Sequence, residues 1–149
     1  PRATIMSIEY EGRCHCSAIG YKYRTPVAPA DWTLRACDCS FCRAHDVRSA
    51  SGPTAKIEFF SREPGRMRRY RFGLRTADFL LCGNCGVYIG AVMTRNAGTF
   101  GIVNIRALVA PPEELAAVVP VTYDGEDEES RNARRERRWS KAQFAPEII

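Results

Sequence analysis

Seven cysteines fall into three short clusters, and they are the residues of this chain best suited to chemistry. Cys14 and Cys16 flank a histidine. Cys37, Cys39 and Cys42 lie within one short stretch. Cys82 and Cys85 form a C-x-x-C knuckle followed by Gly86. Thiolates at such spacings suit zinc, which takes four protein ligands in a closed structural site and typically three in a catalytic site with one open position. Seven thiols divide naturally into four and three. The knuckle needs a second pair, and Cys14 with Cys16 is the natural donor because the central cluster already holds three thiols. This predicts a structural zinc on Cys14, Cys16, Cys82 and Cys85. It leaves Cys37, Cys39 and Cys42 as the open, catalytic zinc site.

Three thiolates on a divalent ion leave a net negative unit. It is a weak Lewis acid but suits a substrate thiol as fourth ligand, held as a nucleophile at neutral pH. Arg43, next to the central cluster, is a candidate partner for that charge or for a substrate carboxylate, or is a plain surface arginine. His45 is a candidate proton shuttle or fourth ligand. His15, between two cysteines, is expected to point away from their metal. Three alternatives stay open at this level. The cysteines form a disulfide framework, although an odd count and C-x-C spacing oppose it. They are apolar core residues. Or both sites are structural, the second completed by water or His45.

The elements that must position these residues read as strands. Ile19, Tyr21 and Tyr23 alternate on one face before Pro26. Trp32, Leu34 and Ala36 alternate on the way to Cys37, and Asp38 to Asp46 reads as a loop. Further strands are expected at 47–51, 56–60, 67–72 (half-buried), 77–81, 87–93 and 99–108, with turns between them. Residues 1–13 read as an opening strand or arm anchored by Ile5, Ile8 and Tyr10. The fold class is therefore mainly β. One short helix is expected near 111–119, where prolines and acids precede apolar residues. Residues 1–123 form a single zinc-binding domain on this reading. Residues 124–149 form a charged C-terminal tail, partly helical or docked through Trp139 and Phe144.

The chain has 149 residues, 45% hydrophobic and 26% charged, which suits one globular domain. No apolar run reaches the length of a membrane span. The first residues lack the apolar stretch of a secretory signal, so a cytoplasmic setting with reduced thiols is expected. The net charge of +5 is concentrated between Arg43 and Arg75, with nine Lys and Arg against three acids. A basic stretch can meet nucleic acid or an anionic small molecule. No nucleic-acid module accompanies it, so arginines on solvated strands are the preferred reading.

The pattern Gly12-x-Cys14-x-Cys16, Cys37-x-Cys39-Ser40-x-Cys42-Arg43, Cys82-x-x-Cys85-Gly86 and Asn104-x-Arg106 resembles the glutathione-dependent formaldehyde-activating enzyme family, also called the centromere protein V family. The resemblance spans roughly residues 9–108. It implies a β-tent fold of small twisted antiparallel sheets, a structural zinc on the outer cysteine pairs and a catalytic zinc on the central trio. It also implies a carbon–sulfur lyase activity that joins glutathione to formaldehyde as S-hydroxymethylglutathione, with arginines holding the carboxylates of the tripeptide. Family members without catalysis imply two alternatives, a zinc-stabilised binding module with an anionic partner and a glutathione carrier. Two positions depart from the pattern: the loop Ala44-His45-Asp46-Val47-Arg48 replaces glycine and small residues, and Leu81 stands where phenylalanine often precedes the second pair.

Overall fold

The computed structural model describes residues 6–146. In chain order the strands are β1 (Ile8–Arg13), β2 (Ile19–Thr25), β3 (Leu34–Cys37), β4 (Ser49–Ala50), β5 (Lys56–Ser61), β6 (Met67–Tyr70), β7 (Asp78–Cys82), β8 (Tyr88–Arg95), β9 (Gly98–Asn104), β10 (Val118–Val121) and β11 (Ser140–Phe144). Helix α1 spans Ser40–His45 and α2 spans Glu128–Arg138, with short 3-10 turns at Pro29–Asp31 and Ile105–Ala107. The mainly β expectation holds.

The strands form one hydrogen-bonded network in the order β1-β2-β5-β11-β9-β4-β3-β10, and β8, β7 and β6 continue from the other edge of β9. Most pairs are antiparallel, but β10 runs parallel to β3 and β11 parallel to β5. The arrangement is thus mixed rather than wholly antiparallel. One edge of β9 is divided: β11 pairs at Phe100 and Gly101, β4 at Val103 and Asn104.

Alternation placed the core where the sequence implied. Ile19, Tyr21 and Tyr23 of β2 are buried with Ile57, Phe59, Leu34, Leu80, Ile89 and Val103. Trp32 meets Tyr10 and Tyr23 edge-on, at centroid distances of 4.9 and 5.4 Å. Ile8 is not an anchor; it is 59% exposed at the start of an edge strand. Ile5 lies outside the described residues. Strand β6 is more exposed than expected, since only Met67 in it is half-buried.

Two sequence expectations need correction. The segment 38–46 is not all loop, because Ser40–His45 forms α1. No helix forms over 111–119; Val118–Val121 is β10 instead. Only a few residues separate Pro112 from Pro120, too few for a stable helix nucleus. Pro120 also disfavours the helical conformation of Val119, and the two β-branched valines suit a strand. β10 is functionally placed, because Val121 lies opposite Cys37 and its carbonyl accepts from the Asp38 amide at 3.2 Å.

The segment 124–149 is built into the fold over its described part. Trp139, at the end of α2, is buried with Ala77, Ala91, Met93 and Phe100. β11 then lies between β5 and β9. Ser140 is fully buried: its hydroxyl donates to the Gly52 carbonyl at 2.8 Å and accepts from the Gly52 amide at 2.9 Å.

Candidate metal centres and a cationic cavity

The β1–β2 turn and the end of β7 bring four sulfurs together. Those of Cys14, Cys16, Cys82 and Cys85 all lie within 4.8 Å of one another and can hold a metal ion. Cys14 Sγ is 3.7 Å from Cys16 Sγ, which is 3.6 Å from Cys82 Sγ. A tetrahedron of sulfurs at the usual zinc–sulfur distance has edges of about 3.8 Å. A disulfide needs about 2.05 Å, and all seven cysteines are free thiols, which removes the disulfide alternative.

Backbone amides point at these sulfurs, as the C-x-x-C geometry requires. The amides of Asn84 and Cys85 each donate to Cys82 Sγ at 3.4 Å, and the Ile19 amide donates to Cys14 Sγ at 3.4 Å. Gly86 completes the knuckle at φ 81°, a conformation open to glycine at little cost. Hydrogen bonds from the Asn84 side chain and the Ala18 amide lower the Cys16 thiol to about 6. Burial pushes Cys14 up to about 12. Packed thiols thus resist joint ionisation, and a cation lets all four become thiolates.

The second cluster is built at the junction of β3 and α1. Cys37 ends β3, Cys39 caps α1, and Cys42 lies in its first turns. The Cys42 amide donates to Cys39 Sγ at 3.4 Å. Their three sulfurs also lie within 4.8 Å of one another, and no fourth Cys, His, Asp or Glu joins them among the described residues. The neighbouring Cys42 thiol lowers Cys37 to about 6, while the neighbouring Cys37 and burial raise Cys42.

Beneath this triad Phe41 anchors an aromatic cluster. Its ring lies 5.2 Å from Phe72, 4.9 Å from Phe79 and 5.0 Å from Tyr88. His45 stacks on Phe41 at 4.5 Å and is exposed, so it does not complete the triad. His15 is exposed and outside the four-sulfur group. Arg43 is exposed as well and does not line the adjacent cavity. One residue along a helix turns the side chain by about 100°, so burial of Cys42 directs Arg43 elsewhere.

That cavity, of about 340 Å³, is lined by all three triad cysteines. Its wall also contains Tyr88, Arg35 from β3, and Arg131, Arg134 and Arg135 from α2. Burial and the nearby Cys42 and Cys39 raise the Tyr88 phenol well above its ordinary value, so its hydroxyl stays protonated. Arg134 engages Glu126 through two bonds, at 2.8 and 3.0 Å, and Arg131 donates to the same carboxylate at 3.1 Å. Sequence reasoning named none of these residues as site residues. A signal was present: Arg131, Arg134, Arg135 and Trp139 share one face at helical spacing.

The fold and site define a small β protein with two thiolate clusters able to hold metal ions. Residues 9–123 match the family model described as glutathione-dependent formaldehyde-activating enzyme, and the chain belongs to that family. A crystal structure of a Rhodobacter sphaeroides protein, a structural genomics target, is similar, with a TM-score of 0.52 and 27% sequence identity. That match covers 73% of this chain and 99% of the other. No curated protein matches the chain. No helix among the described residues is long and apolar enough to cross a membrane.

Proposed function

We propose that this chain is a zinc-dependent carbon–sulfur lyase that joins a glutathione-like thiol to a small aldehyde, giving an S-hydroxymethyl adduct. The observation that carries the reading is the three-sulfur cluster of Cys37, Cys39 and Cys42, without a fourth protein ligand among the described residues and facing a small-molecule cavity. Zinc fits both clusters by donor type and sulfur spacing. On the triad it would hold a substrate thiol as thiolate at neutral pH. On Cys14, Cys16, Cys82 and Cys85 its role would be structural.

The protein's own residues supply the rest. Phe72, Phe79 and Tyr88 form the apolar side of the cavity and exclude water. In the addition, the sulfur–carbon bond forms as the carbonyl π bond opens. The electron pair goes to the aldehyde oxygen, and the thiol proton ends on the new hydroxyl. Tyr88, protonated and in the cavity wall, is placed to donate a hydrogen bond to that oxygen as charge develops.

The basic stretch does not favour a nucleic-acid partner. Arg69 and Arg71 pair with Asp78, at 3.1 and 2.5 Å, and Arg69 also lies over Phe144. The test is exchange NMR of glutathione with formaldehyde, comparing wild type with Cys39→Ser. Faster exchange with wild type and only the uncatalysed rate with the variant supports the lyase. Thiol binding without acceleration identifies a carrier and sinks the lyase reading.

A further inference from the structure

Helix α2 closes over the cysteine triad with charge that the protein leaves largely unmatched. Arg35 and Arg135 both line the cavity, and each is only 7% exposed. A guanidinium offers five N–H donors. Arg35 donates to the Ser51 hydroxyl and Arg135 to the Thr76 hydroxyl at 2.7 Å. Arg135 Nε is buried without a hydrogen-bond partner, and its guanidinium lies over the Trp139 ring, 4.8 Å from the centroid. Among the described residues neither arginine forms an ion pair with an acid, while Arg131 and Arg134 share Glu126. The other carboxylates on the cavity wall, Asp38 and Asp124, are exposed to solvent.

Burying a guanidinium without an anion is costly. Burial and the neighbouring Arg134 and Arg131 lower Arg135 to about 10, the sign of a cation short of a counter-charge. Before a substrate thiol joins them, three thiolates on a divalent ion would carry one negative charge, enough to balance one of the two buried guanidinium groups. The remaining positive charge has donors free for a ligand. The cavity, about 340 Å³, lies at the small end of small-molecule sites, which restricts that ligand to a compact one. Helix α2 also lies beyond residues 9–123, the part shared with the family model.

We propose that Arg135, aided by Arg35, binds a substrate carboxylate, so that the cavity selects a compact thiol that also carries an acid group. The thiol half of this rests on the reading of Cys37, Cys39 and Cys42 given above; the carboxylate half does not. Arg135 is therefore a specificity residue supplied by the C-terminal helix.

The test is calorimetry on the metal-loaded full chain with three probes. 3-Mercaptopropionate carries both groups, 3-mercaptopropanol only the thiol, and propionate only the acid. Wild type should bind the mercaptoacid about ten- to a hundredfold more tightly than the alcohol, the range of a charged hydrogen bond. R135Q should bring that ratio close to one and leave affinity for the alcohol unchanged. R137Q, exposed on the same helix and outside the cavity wall, should keep the wild-type ratio. A residue that only supported the fold would not move the ratio. Equal binding of both thiols by wild type, or an undiminished ratio in R135Q, overturns the proposal. If neither thiol binds, propionate binding that R135Q abolishes retains the arginine site while the thiol reading falls; no propionate binding overturns both. Should R135Q fail to fold, R35Q replaces it: a reduced ratio supports the proposal and an unchanged one overturns it.

Discussion

Arg106 reaches back across the fold to Asp46, donating from Nε to its backbone carbonyl at 3.4 Å and from Nη2 to its carboxylate. Asp46 ends α1 in the left-handed conformation, at φ 49° and ψ 49°. The Asn104-x-Arg106 pair therefore secures the loop just past the central cysteines. Asn104 does most of this from inside. Its amide nitrogen donates to the Tyr88 carbonyl at 2.9 Å, and its oxygen accepts from the amides of Arg48 and Arg106, at 3.4 and 3.2 Å.

These two residues should differ sharply when removed. Asn104 is 4% exposed, so Asn104→Ala strands a buried carbonyl and two amides, at a cost of about 2–3 kcal/mol. Arg106 and Asp46 are mostly exposed, so Arg106→Ala should cost under about 1 kcal/mol. Urea denaturation of both variants checks this. Equal losses would mean that the exposed ion pair, not the buried amide, holds the loop.

The two cysteine clusters should respond differently to serine. Cys85→Ser breaks a site that joins the β1–β2 turn to the end of β7, and metal binding there is folding energy. It should retain less metal than wild type and lose its cooperative thermal transition. Cys39→Ser should keep one metal equivalent where wild type should hold two, and should melt cooperatively, because serine is a favoured N-cap for α1. Metal analysis with thermal melting measures both. Comparable unfolding of the two variants would remove the distinction between a structural and a reactive site.

The cysteine groupings were legible because ligand spacing is a local property with few solutions. The core of β2 was legible for the same reason, as Ile19, Tyr21 and Tyr23 alternate without interruption. The sequence around Val118 misled because proline and acids at 111–114 imitate a helix start, while the pairing with β3 that decides the matter lies far away in the chain. The cavity wall was hidden similarly. Arg131, Arg134 and Arg135 look like a solvated charge run until α2 is set against Thr76, and that docking depends on Trp139 and the long-range strand β11.

That dependence makes the C-terminal segment part of the folding unit. Ending the chain at Tyr123 would expose the β5 and β9 edges now covered by β11 and remove Trp139 from its cluster. Loss of a buried tryptophan side chain alone costs about 3–5 kcal/mol, against a total stability of about 5–15 kcal/mol for a typical domain. The truncated chain should be unfolded or aggregated by circular dichroism and gel filtration, and Trp139→Ala should lie between it and wild type. A truncated chain that melts cooperatively near the wild-type temperature would show that residues 9–123 fold alone.

Glu126 gives the helix a pH-dependent fastening. Its hydrogen bond from Arg134 lowers its pKa below 4.5; burial opposes this, and Arg131 adds to the lowering. A carboxylate depressed in the folded state contributes stability above its unfolded value, and that contribution disappears as pH falls through the folded value. Glu126→Gln should therefore be less stable than wild type near neutrality, and the gap should close on acidification below 4.5. Urea midpoints measured from about pH 7 to about pH 3 test this, and a gap that stays constant would show that the carboxylate charge is not what holds α2. The same variant releases Arg131 and Arg134 into the cavity wall, so it should bind 3-mercaptopropionate more tightly at neutral pH while its affinity for 3-mercaptopropanol stays the same.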